Sequence, residues 1–118
     1  MLKLAHKNLD VWKLLLELIK EIYELTNKFP KEELFGITSQ LRRASISAAS
    51  NYSEGCARIS NVETKRFLEI SRSSIVEIDT QLEISVILKF CIQEELIHID
   101  ELLNRNFAML TNLMKKYS

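Results

Sequence analysis

A chain of 118 residues, 47% apolar and 27% charged, can bury a sizeable core, and its composition is neither that of a disordered polymer nor that of a membrane-embedded bundle. Sixteen basic residues balance sixteen acidic ones, so no global field draws the monomer to nucleic acid or to an anionic membrane surface. Two glycines and one proline are too few for the turns of a β-sandwich or barrel, and one soluble all-α domain over residues 1–118 is expected.

The first predicted helix spans about residues 9–28. Val11, Trp12, Leu15, Leu18, Ile19, Ile22 and Leu25 recur at three- and four-residue steps, the mark of an amphipathic helix with a wide apolar face. Lys13, Glu17, Lys20, Glu21 and Glu24 take the other face. Phe29-Pro30 ends the helix, because the residue before a proline is pushed out of the α region. After a short turn from Lys31 to Gly36, the second helix runs from about 38 to 58. Its middle has almost no large side chains: Ala44, Ser45, Ser47, Ala48, Ala49, Ser50 and Ser53. Residues this small let another helix approach closely, and their hydroxyls can bond the preceding turn. Leu41, Ala44, Ala48, Tyr52 and Cys56 form its expected core stripe.

Ser60-Asn61-Val62-Glu63 has the form of a capping box, and opens a third helix to about residue 90. Its expected stripe is Phe67, Ile70, Ser74, Ile78, Leu82 and Ser85, flanked by Leu68, Ile75 and Val86. A fourth helix, about 93–117, turns Leu96, Ile99, Leu102 or Leu103, Phe107, Leu110, Leu113 and Met114 inward. Short connections make successive helices antiparallel, hence an up-down-up-down four-helix bundle. Cys56 and Cys91 then fall at opposite ends, on the order of 45 Å apart at the helical rise, and cannot form a disulfide within one chain. No apolar run reaches the roughly 20 residues of a membrane span. The first seven residues are too short and too charged for a secretory signal, so a cytoplasmic location is expected.

The middle helices carry a polar seam. Arg43, Ser47, Ser50, Glu54 and Arg58 follow one another at three- and four-residue steps on the second helix, with Gln40 and Asn51 beside them; Ser74, Glu77 and Gln81 do so on the third. A turn centred at residue 58 or 59 puts Arg43 level with Ser74 to Glu77, and Glu54 near Arg66. Arg43–Glu77 and Glu54–Arg66 are therefore the expected charge-assisted contacts. Two readings stand: a solvated face, as most charge runs are, or a seam buried within the bundle or against another subunit. Serine helps neither helix propensity nor solubility, and the small side chains favour close packing, with polar pairs fixing register and partner.

These residues carry a family resemblance. Gln40-Leu41-Arg42-Arg43-Ala44, Ser47, Ser50-Asn51, Glu54-Gly55 and Arg58 resemble a motif of the 23S rRNA intervening-sequence proteins. Phe67-Leu68, Ile70, Ser74, Glu77 and Thr80-Gln81-Leu82 resemble the second motif; Leu9, Val11-Trp12 and Thr26 to Phe29-Pro30 match too. The resemblance covers roughly residues 6–115. The chain departs from the family's pattern at Tyr52, where an aliphatic residue is usual, and at Ser53, Ser71, Ser73 and Asp79. If buried, Tyr52 adds a hydroxyl that must find a partner. The resemblance implies a bacterial, non-enzymatic four-helix bundle that assembles into a homopentamer around a central channel. It also implies partners, since related accessory proteins of diversity-generating retroelements bind nucleic acid and a reverse transcriptase. The self-assembly seam is then Gln40, Arg43, Ser47, Asn51, Glu54, Glu77 and Gln81.

Other chemistry is weakly supported. Glu95-Leu96-Ile97-His98 puts a carboxylate and an imidazole on one helix face, but a di-metal site needs a second such motif and two further glutamates. His6 has no glutamate three residues before it, so no metal or cofactor site is expected. Cys56 sits near a helix C-terminus, where the dipole raises a thiol pKa, which argues against a cysteine nucleophile. An alternative to the scaffold is a nucleic-acid-binding accessory protein (for RNA or DNA) acting through a ring of Arg58, Lys65, Arg66 and Arg72, with Lys115 and Lys116. Copies around an axis would multiply one weak patch, and binding would fall steeply with salt.

Overall fold

The computed structural model describes residues 1–118. It contains four α-helices and no strand: α1 (Asp10–Thr26), α2 (Ile37–Cys56), α3 (Asn61–Ile87) and α4 (Ile97–Lys115), with short 3-10 turns at Ala5–Asn8, Lys31–Glu33 and Gln93–Leu96. Each helix packs on the next and α4 closes on α1. Along each contact the residue number rises on one helix as it falls on the other. Trp12 stacks on Tyr52 while Thr26 meets Arg42; Gln40 meets Gln81 while Ser47 meets Ser74; Glu17 meets His98 while Lys28 meets Glu95. The antiparallel bundle measures 43 × 27 × 21 Å, and 23 buried apolar residues from all four helices form one core. No helix is long and apolar enough to cross a membrane.

The helix ends have local causes. α1 stops two residues earlier than its expected end, with Asn27 as its C-cap ahead of Phe29-Pro30. The Ser60 hydroxyl accepts from the Glu63 N–H and caps α3. Periodicity extended α3 to residue 90, but it ends at Ile87, because Lys89 adopts φ 64°. Phe90 N–H then bonds the Ser85 carbonyl and Lys89 N–H the Val86 carbonyl, the Schellman pattern, built here without the usual glycine. The fourth segment begins as a 3-10 turn, with Glu95 accepting from the Ile92 N–H, and becomes α-helical only at Ile97.

On α2 the expected stripe is buried, with Cys56 only half-buried. On α3 the expected stripe is buried at Ser74, Ile78, Leu82 and Ser85 and departs from expectation only in its N-terminal half. Phe67 is half-buried and Ile70 exposed, while Leu68, Ser71, Ile75, Ile78, Gln81 and Leu82 face inward. The cause is the width of α2. Its alanines and serines bring the two backbones so close that Ser71 Oγ donates to the Ala48 carbonyl at 2.6 Å. Gly55 sits so near α3 that an added Cβ would lie 3.0 Å from Phe67 Cβ. Ile70 lies off that line and is exposed. On α4 the expected inward Phe107 is exposed beneath the Arg72 guanidinium, and Asn106 is fully buried in its place, 0% exposed.

Candidate functional site: the α2/α3 seam

The α2/α3 contact is the most extensive in the bundle, and its polar groups divide into two layers. The inner layer is used up within the chain. Ser74 Oγ donates to Ser47 Oγ at 3.1 Å, and Asn51 Nδ2 donates to the Ser47 carbonyl at 2.9 Å and to its Oγ at 3.0 Å. Gln81, 6% exposed, donates its amide to Gln40 Oε1 at 3.3 Å and to Glu77 Oε2 at 3.2 Å. These contacts fix the register of α2 against α3. Gln81 Oε1 and Thr38 Oγ1 are buried without a partner.

The outer layer is open. Gln40, Arg43 and Glu77 are exposed and, with Ala44 and half-buried Ser47, line a hollow of about 450 Å³. The two expected ion pairs are not made. The chain's ion pairs are Lys28–Glu95, Arg58–Glu54 and His98–Glu17. Arg43 and Glu77 share the hollow without bridging it. Glu54 takes Arg58, one turn along its own helix at 3.5 Å, and not Arg66. The physical reason is the close backbone approach. Small residues fill the contact line itself, so long side chains at its edges splay outward on either side of it. The seam is thus neither wholly solvated nor wholly buried.

The basic candidates are dispersed onto local partners. Arg58 lies over the Phe67 ring at 4.6 Å and Arg72 over Phe107 at 5.3 Å while donating to Thr111 Oγ1. Lys65 donates to Ser118 Oγ at 2.9 Å, which places it beside the C-terminus and the exposed Lys115 and Lys116; Arg66 is exposed. Glu95 and His98 do not converge: Glu95 pairs with Lys28, and His98 lies 2.9 Å from Glu17 on α1. That carboxylate hydrogen bond raises the His98 pKa above its usual value. No group of three or more His, Cys, Asp or Glu side chains is gathered closely enough to hold a metal ion.

Two features lay beyond sequence reasoning. His6, which the sequence left in a terminal tail, is buried edge-on against Trp12 and Tyr52, with Nε2 3.0 Å from Ser53 Oγ. Burial, and then the Lys7 charge, lower its pKa. Its backbone carbonyl accepts from the Tyr52 hydroxyl at 3.4 Å, so the unusual tyrosine and the histidine satisfy one another. Burial also raises the Tyr52 and Cys56 pKa values. Both thiols are free, and the Cys91 thiol is raised by burial and by Glu95; neither is primed as a nucleophile.

The second feature is an apolar face on α1 and α2. One hollow of about 430 Å³ is walled by Tyr23, Leu34, Phe35 and Ile46, with Arg42 and Arg43 at its edge. A second of about 420 Å³ runs on from Ile46 past Ile19, Leu16 and Trp12 to Glu54. Leu16, Leu34 and Ile46 are exposed, and Phe35 is 93% exposed.

The sequence model of the family described as 23S rRNA-intervening sequence protein matches residues 7–112. Comparison with curated proteins finds no match.

Proposed function

The chain belongs to the 23S rRNA-intervening sequence protein family, and from that premise we propose that it is a non-enzymatic scaffold working as a homo-oligomer, pentameric in its assembled form. The observation that carries this reading is the α1/α2 face. Leu16, Leu34, Phe35 and Ile46 stand exposed along two hollows that meet at Ile46. A contiguous apolar strip of this kind, rimmed by Arg42, Arg43 and Glu54, is the surface signature of a protein contact. The seam beside it exposes Gln40, Arg43 and Glu77 as polar groups that can fix a partner's position. Light scattering on the full chain at micromolar concentration tests the reading: a stable assembly supports it and a monomer ends it.

A second reading, an accessory protein binding RNA or DNA, draws on one end of the bundle. Lys65 reaches the C-terminus there, and Arg58, Arg66, Lys115 and Lys116 are exposed. Five such ends on one ring would bind phosphate strongly at low salt although each alone is weak. An anisotropy titration of labelled RNA and DNA at about 50 mM and about 200 mM salt decides it. Affinity falling steeply with salt supports the reading; no binding at the lower concentration ends it.

A further inference from the structure

The segment Met1–Leu9, ahead of α1, is held to the bundle by one side chain. His6 is its only buried residue; Lys7 is half-buried and the others are exposed. Its backbone order is a single 3-10 turn, in which Lys7 N–H donates to the Leu4 carbonyl and Leu9 N–H to the His6 carbonyl. So short a turn has little stability of its own. The His6 ring enters a slot between α1 and α2, 5.3 Å from the Trp12 ring and 5.7 Å from the Tyr52 ring, with Nε2 3.0 Å from Ser53 Oγ. The buried Tyr52 hydroxyl donates to the His6 carbonyl. Trp12 and Ser53 also wall the second apolar hollow, so the segment sits at one end of the α1/α2 face.

The slot supplies no counter-charge. On the same turn stands Lys7, a second cation. α1 contributes Trp12, and Asp10 at its start is exposed. α2 contributes Tyr52 and Ser53, with the Cys56 thiol bonded to Tyr52 and Glu54 paired with Arg58; Tyr117, beyond α4, lies near Tyr52. None of the chain's ion pairs includes His6. The Ser53 hydroxyl can donate to Nε2 or accept from it, which holds a neutral ring. A protonated ring would put a buried charge beside Lys7 with no carboxylate to balance it. We infer that Met1–Leu9 is an acid-released strap: neutral His6 pins it on Trp12 and Tyr52, and protonated His6 frees it. Release gives the imidazolium to water and uncovers Tyr52, 0% exposed when strapped, beside Trp12. The apolar α1/α2 face then lengthens by an aromatic pair. Every contact the strap uses lies within one chain, so it is independent of the scaffold reading. Released His6 titrates near its ordinary value of about 6.5 and pinned His6 lower. Between those values each unit fall in pH favours release by about tenfold, and below the lower one the gain stops.

Hydrogen exchange of the full chain, read by mass spectrometry at about pH 7 and about pH 5.5, tests this. A synthetic Met1–Leu9 peptide at each pH serves as the unprotected reference, so that the intrinsic pH dependence of exchange cancels. Protection of the segment is expected to fall on acidification, by up to about tenfold per pH unit, while α1 to α4 keep theirs. His6→Phe keeps an aromatic ring that cannot take a proton, and its segment should be equally protected at both pH values. His6→Gln gives the same comparison should phenylalanine not fit the slot; a variant unprotected at both pH values supports the pin. Wild-type protection that does not change with pH overturns the strap, as does an equal fall in His6→Phe. A fall shared evenly by the four helices also overturns it, because acid then loosens the whole bundle and not the segment.

Discussion

Replacing Ala48 with leucine tests the close approach on which the seam depends. Ala48 is fully buried on α2, and its carbonyl accepts the Ser71 hydroxyl at 2.6 Å. Three added carbons must enter a contact that holds only a methyl group, and the helices must part. Overpacking of this kind costs about 1–3 kcal/mol. Parting also stretches the Ser71 bond and the neighbouring Ser74–Ser47 bond, each contributing about 1 kcal/mol. The expected loss is about 3 kcal/mol. At roughly 4 °C per kcal/mol for a domain of this size, the melting temperature falls by about 12 °C. Thermal unfolding followed by circular dichroism, at one fixed protein concentration, reads it. Ser50→Leu on the exposed crest of the same helix adds comparable bulk, yet is expected to change stability by less than about 0.5 kcal/mol. An Ala48→Leu protein melting within about 2 °C of wild type would show that α2 and α3 are not packed as described.

Asn106 is fully buried; its amide donates to the Leu102 carbonyl, and its Oδ1 has no partner. Asn106→Leu removes the orphaned acceptor and is expected to raise stability by about 1 kcal/mol, seen as a higher denaturant midpoint; a fall would mean that the amide is satisfied. The raised His98 pKa makes its contribution present below about pH 6.5 and lost as pH rises through the folded value. Glu17→Gln should therefore flatten the fall in melting temperature between about pH 6 and pH 8. His6 acts with the opposite sign: its lowered pKa means that stability falls as pH drops below about 6.5 and levels off beneath the folded value. Trp12, the only tryptophan, lies against His6, so its fluorescence should shift as pH falls below about 6.5. His6→Ala should abolish that shift; its persistence would place the titration elsewhere.

The sequence made the helices legible because their signals are local. Apolar spacing, Pro30 and the Ser60 cap each act within a turn or two. The small residues of α2 correctly announced a close partner. The side-chain detail followed from that closeness and was not local. With Ser71 and Ser74 set against Ala48 and Ser47, Ile70 stands exposed, and Arg43 and Glu77 line the hollow outside the contact line. Helix register fixes height along the bundle but not the direction in which a long side chain leaves the contact line, and neither Arg43–Glu77 nor Glu54–Arg66 forms. The stop at Lys89 lacked its usual glycine. The burial of His6 depends on Tyr52, 46 residues away, and no short spacing reports it.

Assembly is tested most directly by the mass of the unmodified chain in solution. One chain is 13.7 kDa. Light scattering across a dilution series is predicted to give a single species of about five times that mass, persisting to micromolar concentration; a 13.7 kDa particle at every concentration would contradict the claim.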